Sequence, residues 1–199
     1  MSNPADLLGS YSVLAGIRLN MVIDRDLRTS GRSGTSRDIS NSLDRELLVR
    51  LRKLSDIVIT DAVTAQAENY RPSAWVPIQV WSKTGRFGEL VTVAASEAKQ
   101  SLELVQVSNL EEQVDQIRQA FQSILLETGP TLSRELAKLG EIDELCLTIS
   151  EINDADIATK TALAFCDSLN LFGFEVSTLQ IVNGTSYLQL RSALGVAQV

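Results

Sequence analysis

Histidine is absent from the 199-residue chain. That absence removes imidazole acid–base catalysis, Ser-His-Asp triads and most zinc sites. It leaves chemistries in which a bound cofactor carries the reactive atom, hydride transfer among them. Cysteine is scarce as well. Cys146 and Cys166 sit in apolar-periodic segments without the close spacing of a metal knuckle or redox pair, and read as buried structural thiols. No apolar run approaches the roughly 18 residues of a membrane span, and residues 1–9 lack the basic patch and apolar core of a secretory signal. A cytoplasmic protein with no membrane partner is expected. Positive charge is in deficit: 18 Lys and Arg stand against 25 Asp and Glu, a net charge of −7. Such a surface repels phosphate backbones and argues against nucleic acid as a partner. An anionic ligand must therefore be held by local features.

What is present is 44% hydrophobic residues, enough for a substantial core, and residues 1–199 read as one domain. Residues 17–23 (IRLNMVI) alternate as a strand does, ending at Asp24-Arg25-Asp26. Residues 29–42 (TSGRSGTSRDISNS) have no hydrophobic period and predict a long loop, a kind of segment that is often functional. Leu43, Leu47, Leu48, Leu51 and Leu54 recur at helical spacing behind Ser42 as N-cap, and the helix runs into a β-branched strand at residues 56–60. Further strands are expected over residues 76–81, 90–94, 102–107, 123–127 and 143–150, and further helices over 110–121 and 132–139, the last closed by Gly140. After Asp61 to Thr64 a polar segment ending in Asn69-Tyr70-Arg71-Pro72 is expected. Asn183-Gly184 between alternating runs predicts a terminal hairpin of residues 174–182 and 186–190. The fold class is α/β: a mixed, mostly parallel sheet flanked by helices and ending in an antiparallel hairpin.

In open α/β sheets, ligands bind beyond the carboxyl ends of the strands. Three junctions qualify: the loop after Asp24, the segment Asp61-Ala62-Val63-Thr64, and Glu127-Thr128-Gly129-Pro130-Thr131. The last places a glycine turn and a proline at a helix start, where backbone N–H groups can meet an anion or simply open a helix. The first carries Arg28, Arg32 and Arg37 among glycines and serines, either a phosphate holder or a solvated loop. Arg45 could face the same space. Asp24 and Glu127, both at strand ends, could hydrogen-bond a heterocycle or a ribose.

At these same junctions the chain resembles the reductase domain of bifunctional riboflavin biosynthesis proteins and the stand-alone pyrimidine-reductase-like proteins of actinobacteria. Residues 20–24 (NMVID) resemble the family's first strand, Gly31-Arg32-Ser33-Gly34 its Gly-Arg-Ser loop, and residues 44–56 its first helix and exit. Glu68-Asn69-Tyr70-Arg71-Pro72 resembles Glu-x-Tyr-x-Pro, Glu127-Thr128-Gly129-Pro130-Thr131-Leu132 resembles Glu-Gly-Gly-Pro-x-Leu, and residues 142–145 (IDEL) resemble Val-Asp-Glu-Leu. The resemblance implies a dihydrofolate-reductase-like fold, a homodimer, and NADPH-dependent reduction of 5-amino-6-(5-phosphoribosylamino)uracil to its ribityl form, with no metal. It further implies that Ser33, Arg45 and Glu127 line the substrate site, with Asp24 added from its strand-end position. Thr35, Thr64, Glu68, Ser82, Thr128, Gly129, Pro130, Thr131 and Leu132 would line the NADPH site. No zinc-binding segment is present, so the deaminase often fused to this reductase is expected on a separate chain.

The chain departs from the family where backbone approaches cofactor. Family glycines are replaced by Arg25, Asp61, Val63 and Thr128, and a family serine by Val22. An acid at position 61 repels an anionic cofactor unless it points away. The rival expectation is a family member without hydride transfer that serves as a ligand-binding or interaction protein.

Overall fold

A computed structural model of the chain describes residues 3–86, 96 and 99–193. Eight strands form one sheet: β1 (Gly16–Ile23), β2 (Ile57–Asp61), β3 (Ile78–Ser82), β4 (Leu102–Gln106), β5 (Ser123–Leu126), β6 (Glu144–Ile149), β7 (Phe174–Val182) and β8 (Thr185–Ser192). Their spatial order is β4-β3-β2-β5-β1-β6-β8-β7. Every pairing from β4 to β6 is parallel, and β8 and β7 are antiparallel. The expected mixed α/β class is what the structure has. The expected strand over residues 90–94 lies outside the described residues.

Among the described residues six α-helices cover the sheet: α1 (Pro4–Gly9), α2 (Ser42–Lys53), α3 (Ala62–Ala67), α4 (Leu110–Ala120), α5 (Pro130–Lys138) and α6 (Ala155–Leu169). One face packs Leu43, Leu47 and Leu51 of α2 with Leu7 and Ala65 against Val58, Ile78, Val80 and Leu125. The other packs Val114 and Ile117 of α4, Leu136 of α5 and Phe165 and Leu169 of α6 against Ile17, Leu19, Ile57, Ile124 and Leu145. All six residues of β6 are buried: Leu145, Leu147 and Ile149 alternate onto the face of this second cluster, while Glu144, Cys146 and Thr148 are buried on the opposite face, Glu144 in ion pairs with Arg18 and Arg191.

Several local expectations are corrected. Asn41, not Ser42, caps α2, its side chain accepting from the Asp44 N–H. α5 begins two residues earlier than expected, at Pro130, with Gly129 as N-cap, because a proline at the first helical position gives up no hydrogen bond. Ala62–Ala67 form α3, a helix that was not expected and that runs into the expected polar segment, its start fixed by the Asp61 side chain. α6 was not anticipated at all: its buried stripe of Ala158, Ala162, Phe165, Cys166 and Leu169 relies on small residues. The hairpin turn follows its signal, with Asn183 and Gly184 both at positive φ, 50° and 79°. Both thiols are free and buried, as expected; burial pushes Cys166 up to about 12. Among the described residues no helix is long and apolar enough to cross a membrane.

Candidate functional site

The parallel strands β1, β2, β3 and β5 deliver their carboxyl ends to one edge of the sheet, and the candidate residues gather there. After β1, Asp24 is turned back on its own loop. Its carboxylate accepts from the Asp26 and Arg28 N–H groups and from the Arg28 guanidinium at 2.7 Å. Burial pushes the Asp24 carboxyl up, but these hydrogen bonds outweigh it and hold it below the usual range. Arg28, which also pairs with Asp26, is thereby neutralised. The arginine cluster read in the sequence is reduced accordingly.

Further along the loop, Asp38 accepts from the Ser33 N–H at 2.7 Å, and the Ser33 and Thr35 hydroxyls lie 2.9 Å apart. Gly31 is required: a Cβ there would stand 2.2 Å from that of Asp38. Glu68, at the end of α3, accepts from the Ser36 N–H at 2.5 Å and pins the loop to the helix. Ser33, Thr35, Arg37, Asp38 and Glu68 thus line one cavity of about 390 Å³. Of these, Ser33, Thr35, Arg37 and Glu68 are sequence-derived candidates, which the structure brings together with Asp38.

A second groove of about 520 Å³ adjoins it, sharing Arg37, Glu68 and Asn69, and runs between α2 and the segment after α3. Its wall carries Arg37, Arg45, Arg52 and Arg71 along with Asp44, Tyr70 and Trp75. Ion pairs among the described residues engage Arg18, Arg28, Arg52, Arg118, Lys138 and Arg191, and none engages Arg37, Arg45 or Arg71. Against Asp44 and Glu68, these three guanidinium groups leave the concave surface locally positive in an acidic protein. Burial pushes the Asp44 carboxyl above its usual range, against hydrogen bonds from Thr148 and from Ser40 at 2.7 Å.

Glu127 lies behind this wall. Arg52 Nε and Nη2 reach its two oxygens at 2.7 and 2.5 Å, and the Tyr70 hydroxyl donates to the same carboxylate. The Arg52 guanidinium also stands 5.5 Å over the Tyr70 ring. Only 5% of the Glu127 side chain is exposed. Its carboxylate therefore holds α2 and the post-α3 segment to the end of β5, and its role is to position Arg52 and Tyr70 at the groove.

At the junction of β2 and β5 the register sets a further contact. Ile59 pairs with Leu126, so two residues on, Asp61 stands beside Thr128 and the turn that opens α5. Asp61 Oδ1 accepts from the Thr64 N–H at 2.9 Å; Oδ2 accepts from the Thr64 hydroxyl at 2.8 Å and from the Gly129 N–H at 2.6 Å. A Cβ on Gly129 would meet Thr64 Oγ1 at 3.0 Å and Asp61 Oδ2 at 3.4 Å. The space over the turn is filled by the chain's own side chains, and a diphosphate does not fit there while Asp61 holds it. Thr128 is buried, its hydroxyl 2.8 Å from that of Ser133, and Leu132 packs toward the core. Pro130 is half-buried and Thr131 exposed. Val63 is 78% exposed and Arg25 is exposed. Ser82 sits apart at the end of β3, with its hydroxyl near Thr84 and the Arg86 carbonyl.

Sequence reasoning missed the parts played by Asp44, Arg52 and Tyr70. Arg52 lies outside the buried stripe of Leu43, Leu47 and Leu51, and no local pattern pairs it with Glu127, 75 residues away.

Known structures place this arrangement in a wider setting. The fold is similar to that of a pyrimidine reductase-like protein from Corynebacterium diphtheriae, with 18% identity, 96% of this chain and 98% of that one covered, and a TM-score of 0.69. It is also similar to a diaminohydroxyphosphoribosylaminopyrimidine deaminase/5-amino-6-(5-phosphoribosylamino)uracil reductase from Thermotoga maritima, with 14% identity and a TM-score of 0.63. There the match covers 90% of this chain and 57% of the other. Dihydrofolate reductase from Enterococcus faecalis, complexed with NADP(H), matches at 8% identity over 91% of this chain and 98% of its own, with a TM-score of 0.56; the fold is dihydrofolate-reductase-like. No curated protein matches the sequence. The model of the RibD C-terminal domain matches residues 16–152, more than half of the sequence, and the chain belongs to that family.

Proposed function

We propose that the chain is a reductase that binds a phosphorylated ribosylamino-pyrimidine, of the 5-amino-6-(5-phosphoribosylamino)uracil type, in the arginine-lined groove and uses NADPH as hydride donor. The observation that carries this reading is the groove itself. Arg37, Arg45 and Arg71 face one cavity of about 520 Å³ without ion-pair partners among the described residues. Guanidinium groups are suited to a sugar phosphate, and the half-exposed Trp75 offers a flat apolar wall to a heterocycle. Reduction of the ring-opened sugar consumes a proton along with the hydride, and Asp44, whose carboxyl burial pushes up, is the acid that lines the groove beside Arg45. The adjoining cavity, with Ser33, Thr35, Arg37 and Glu68, is the part of the cofactor side that stands open.

A second reading, a family member that binds the ligand without transferring hydride, is supported by the Asp61 contact at Gly129. Steady-state kinetics with NADPH and the phosphoribosylamino-pyrimidine separates the two. Turnover is expected, and Arg45→Ala and Arg71→Ala are each expected to raise KM about tenfold or more, the scale of one lost charge-assisted contact. Tight binding of the pyrimidine with no NADPH oxidation would select the second reading. Absence of both would overturn the assignment of the groove.

A further inference from the structure

We infer that Asp61 is a built-in occupant of the seat that a dinucleotide's diphosphate linker would take at the entrance of α5, and so determines how strongly this chain accepts such a cofactor. The inference rests on the reading above that the strand-end edge is the cofactor side. Gly129 is the N-cap of α5 and has no side chain with which to cap it. Its N–H is the donor an incoming anion would use, and it already donates at 2.6 Å to Asp61 Oδ2. The same carboxylate takes the Thr64 N–H and hydroxyl at 2.9 and 2.8 Å. One side chain at the end of β2 thus closes the starts of two helices, and it carries the charge sign of the ligand it displaces.

The arrangement is more than local capping. Capping of α3 needs only the bond from the Thr64 N–H to Oδ1, which a neutral asparagine or serine makes equally well. The bond from Gly129 crosses 68 residues of sequence to a different element, and Thr64 Oγ1 and Asp61 Oδ2 together fill the volume over the glycine. A glycine at position 129 leaves room for a ligand against the backbone; here that room is taken. A phosphate arriving at this turn must evict the carboxylate from three hydrogen bonds or lie beside it as a like charge.

The test is NADPH binding to the full chain, followed by nicotinamide fluorescence without substrate, in the native protein and in Asp61→Asn, Asp61→Ser and Asp61→Gly. Asparagine and serine keep an α3 cap while removing the charge, so circular dichroism and thermal unfolding are expected to show an intact fold. Affinity is expected to rise at least about tenfold in D61N and D61S, since like-charge juxtaposition costs several kcal/mol. Inorganic diphosphate is expected to compete with NADPH in these variants and not in the native chain. Equal affinity in all four proteins, or no binding by folded variants at millimolar NADPH, would overturn the inference. Its failure is separable from that of the proposed function. A chain that never reduces the pyrimidine but gains NADPH affinity in D61N loses the function and keeps the inference. A native chain that turns over, with an NADPH affinity D61N does not improve, does the reverse.

Discussion

Replacing Glu127 with glutamine strands the Arg52 guanidinium against the end of β5. The carboxylate is 5% exposed and the guanidinium 17%, and the two meet through paired contacts at 2.7 and 2.5 Å. Removing one member of a buried pair costs roughly 3–5 kcal/mol. Because Arg52 keeps some access to water and glutamine retains an acceptor, the lower end applies, about 3 kcal/mol. For a chain of this length that lowers Tm by roughly 6–12 °C. Urea unfolding at neutral pH gives the free energy, and a double-mutant cycle with Arg52→Met apportions it. The double variant leaves no uncompensated charge and is expected to recover more than half of the loss in E127Q. Two outcomes would refute the reasoning: a loss below about 0.5 kcal/mol in E127Q, the scale of an exposed pair, or strictly additive single effects in the cycle. Either would mean that the pair does not hold α2 to the sheet, and that Glu127 is available to a ligand as the family resemblance implies.

Two other predictions concern stability. Burial holds the Asp44 carboxyl above its usual value of 3.8. The stability it contributes is therefore complete below the unfolded value and is lost as pH rises through the folded one. Asp44→Asn is expected to raise Tm above neutrality and leave it unchanged near pH 3; a parallel shift across the whole pH range would show that the charge is not involved. Gly140, at φ +74° with open space where a Cβ would stand, is expected to lose about 1 kcal/mol as Gly140→Ala, purely from backbone strain, read as a small drop in urea midpoint at constant m-value.

How much of this was legible in the sequence depends on range. α2 and the terminal hairpin rest on signals that act within a few residues: leucines at helical spacing, and Asn183-Gly184 at positive φ. α6 had its own signals, Asp154 as N-cap and Asn170 in the left-handed region closing it. Its stripe is built on Ala158, Ala162 and Cys166, which bury little area each and so speak weakly in a hydrophobic pattern. The site was legible in its residues and not in their bonds. Ser33, Thr35 and Glu68 do share a cavity. Asp61 with Gly129, and Arg52 with Glu127, meet only because β5 enters the sheet beside β2, and nothing near position 61 or 52 in the chain announces that neighbour.

The place of β5 also bears on how the chain is made. β1 and β2, the first two strands synthesised, are not partners; the strand that joins them spans Ser123–Leu126. β2 can pair with β3 and β4 as they emerge, but a nascent chain carries Ile17 and Leu19 of β1 off the ribosome with no neighbouring strand until position 126 has followed. Closing such a distant pairing is slow, and the waiting strands are open to the wrong neighbours. A fragment ending before β5 is thus a substrate for chaperones and proteases, whereas one that includes β5 can close the centre of the sheet around it.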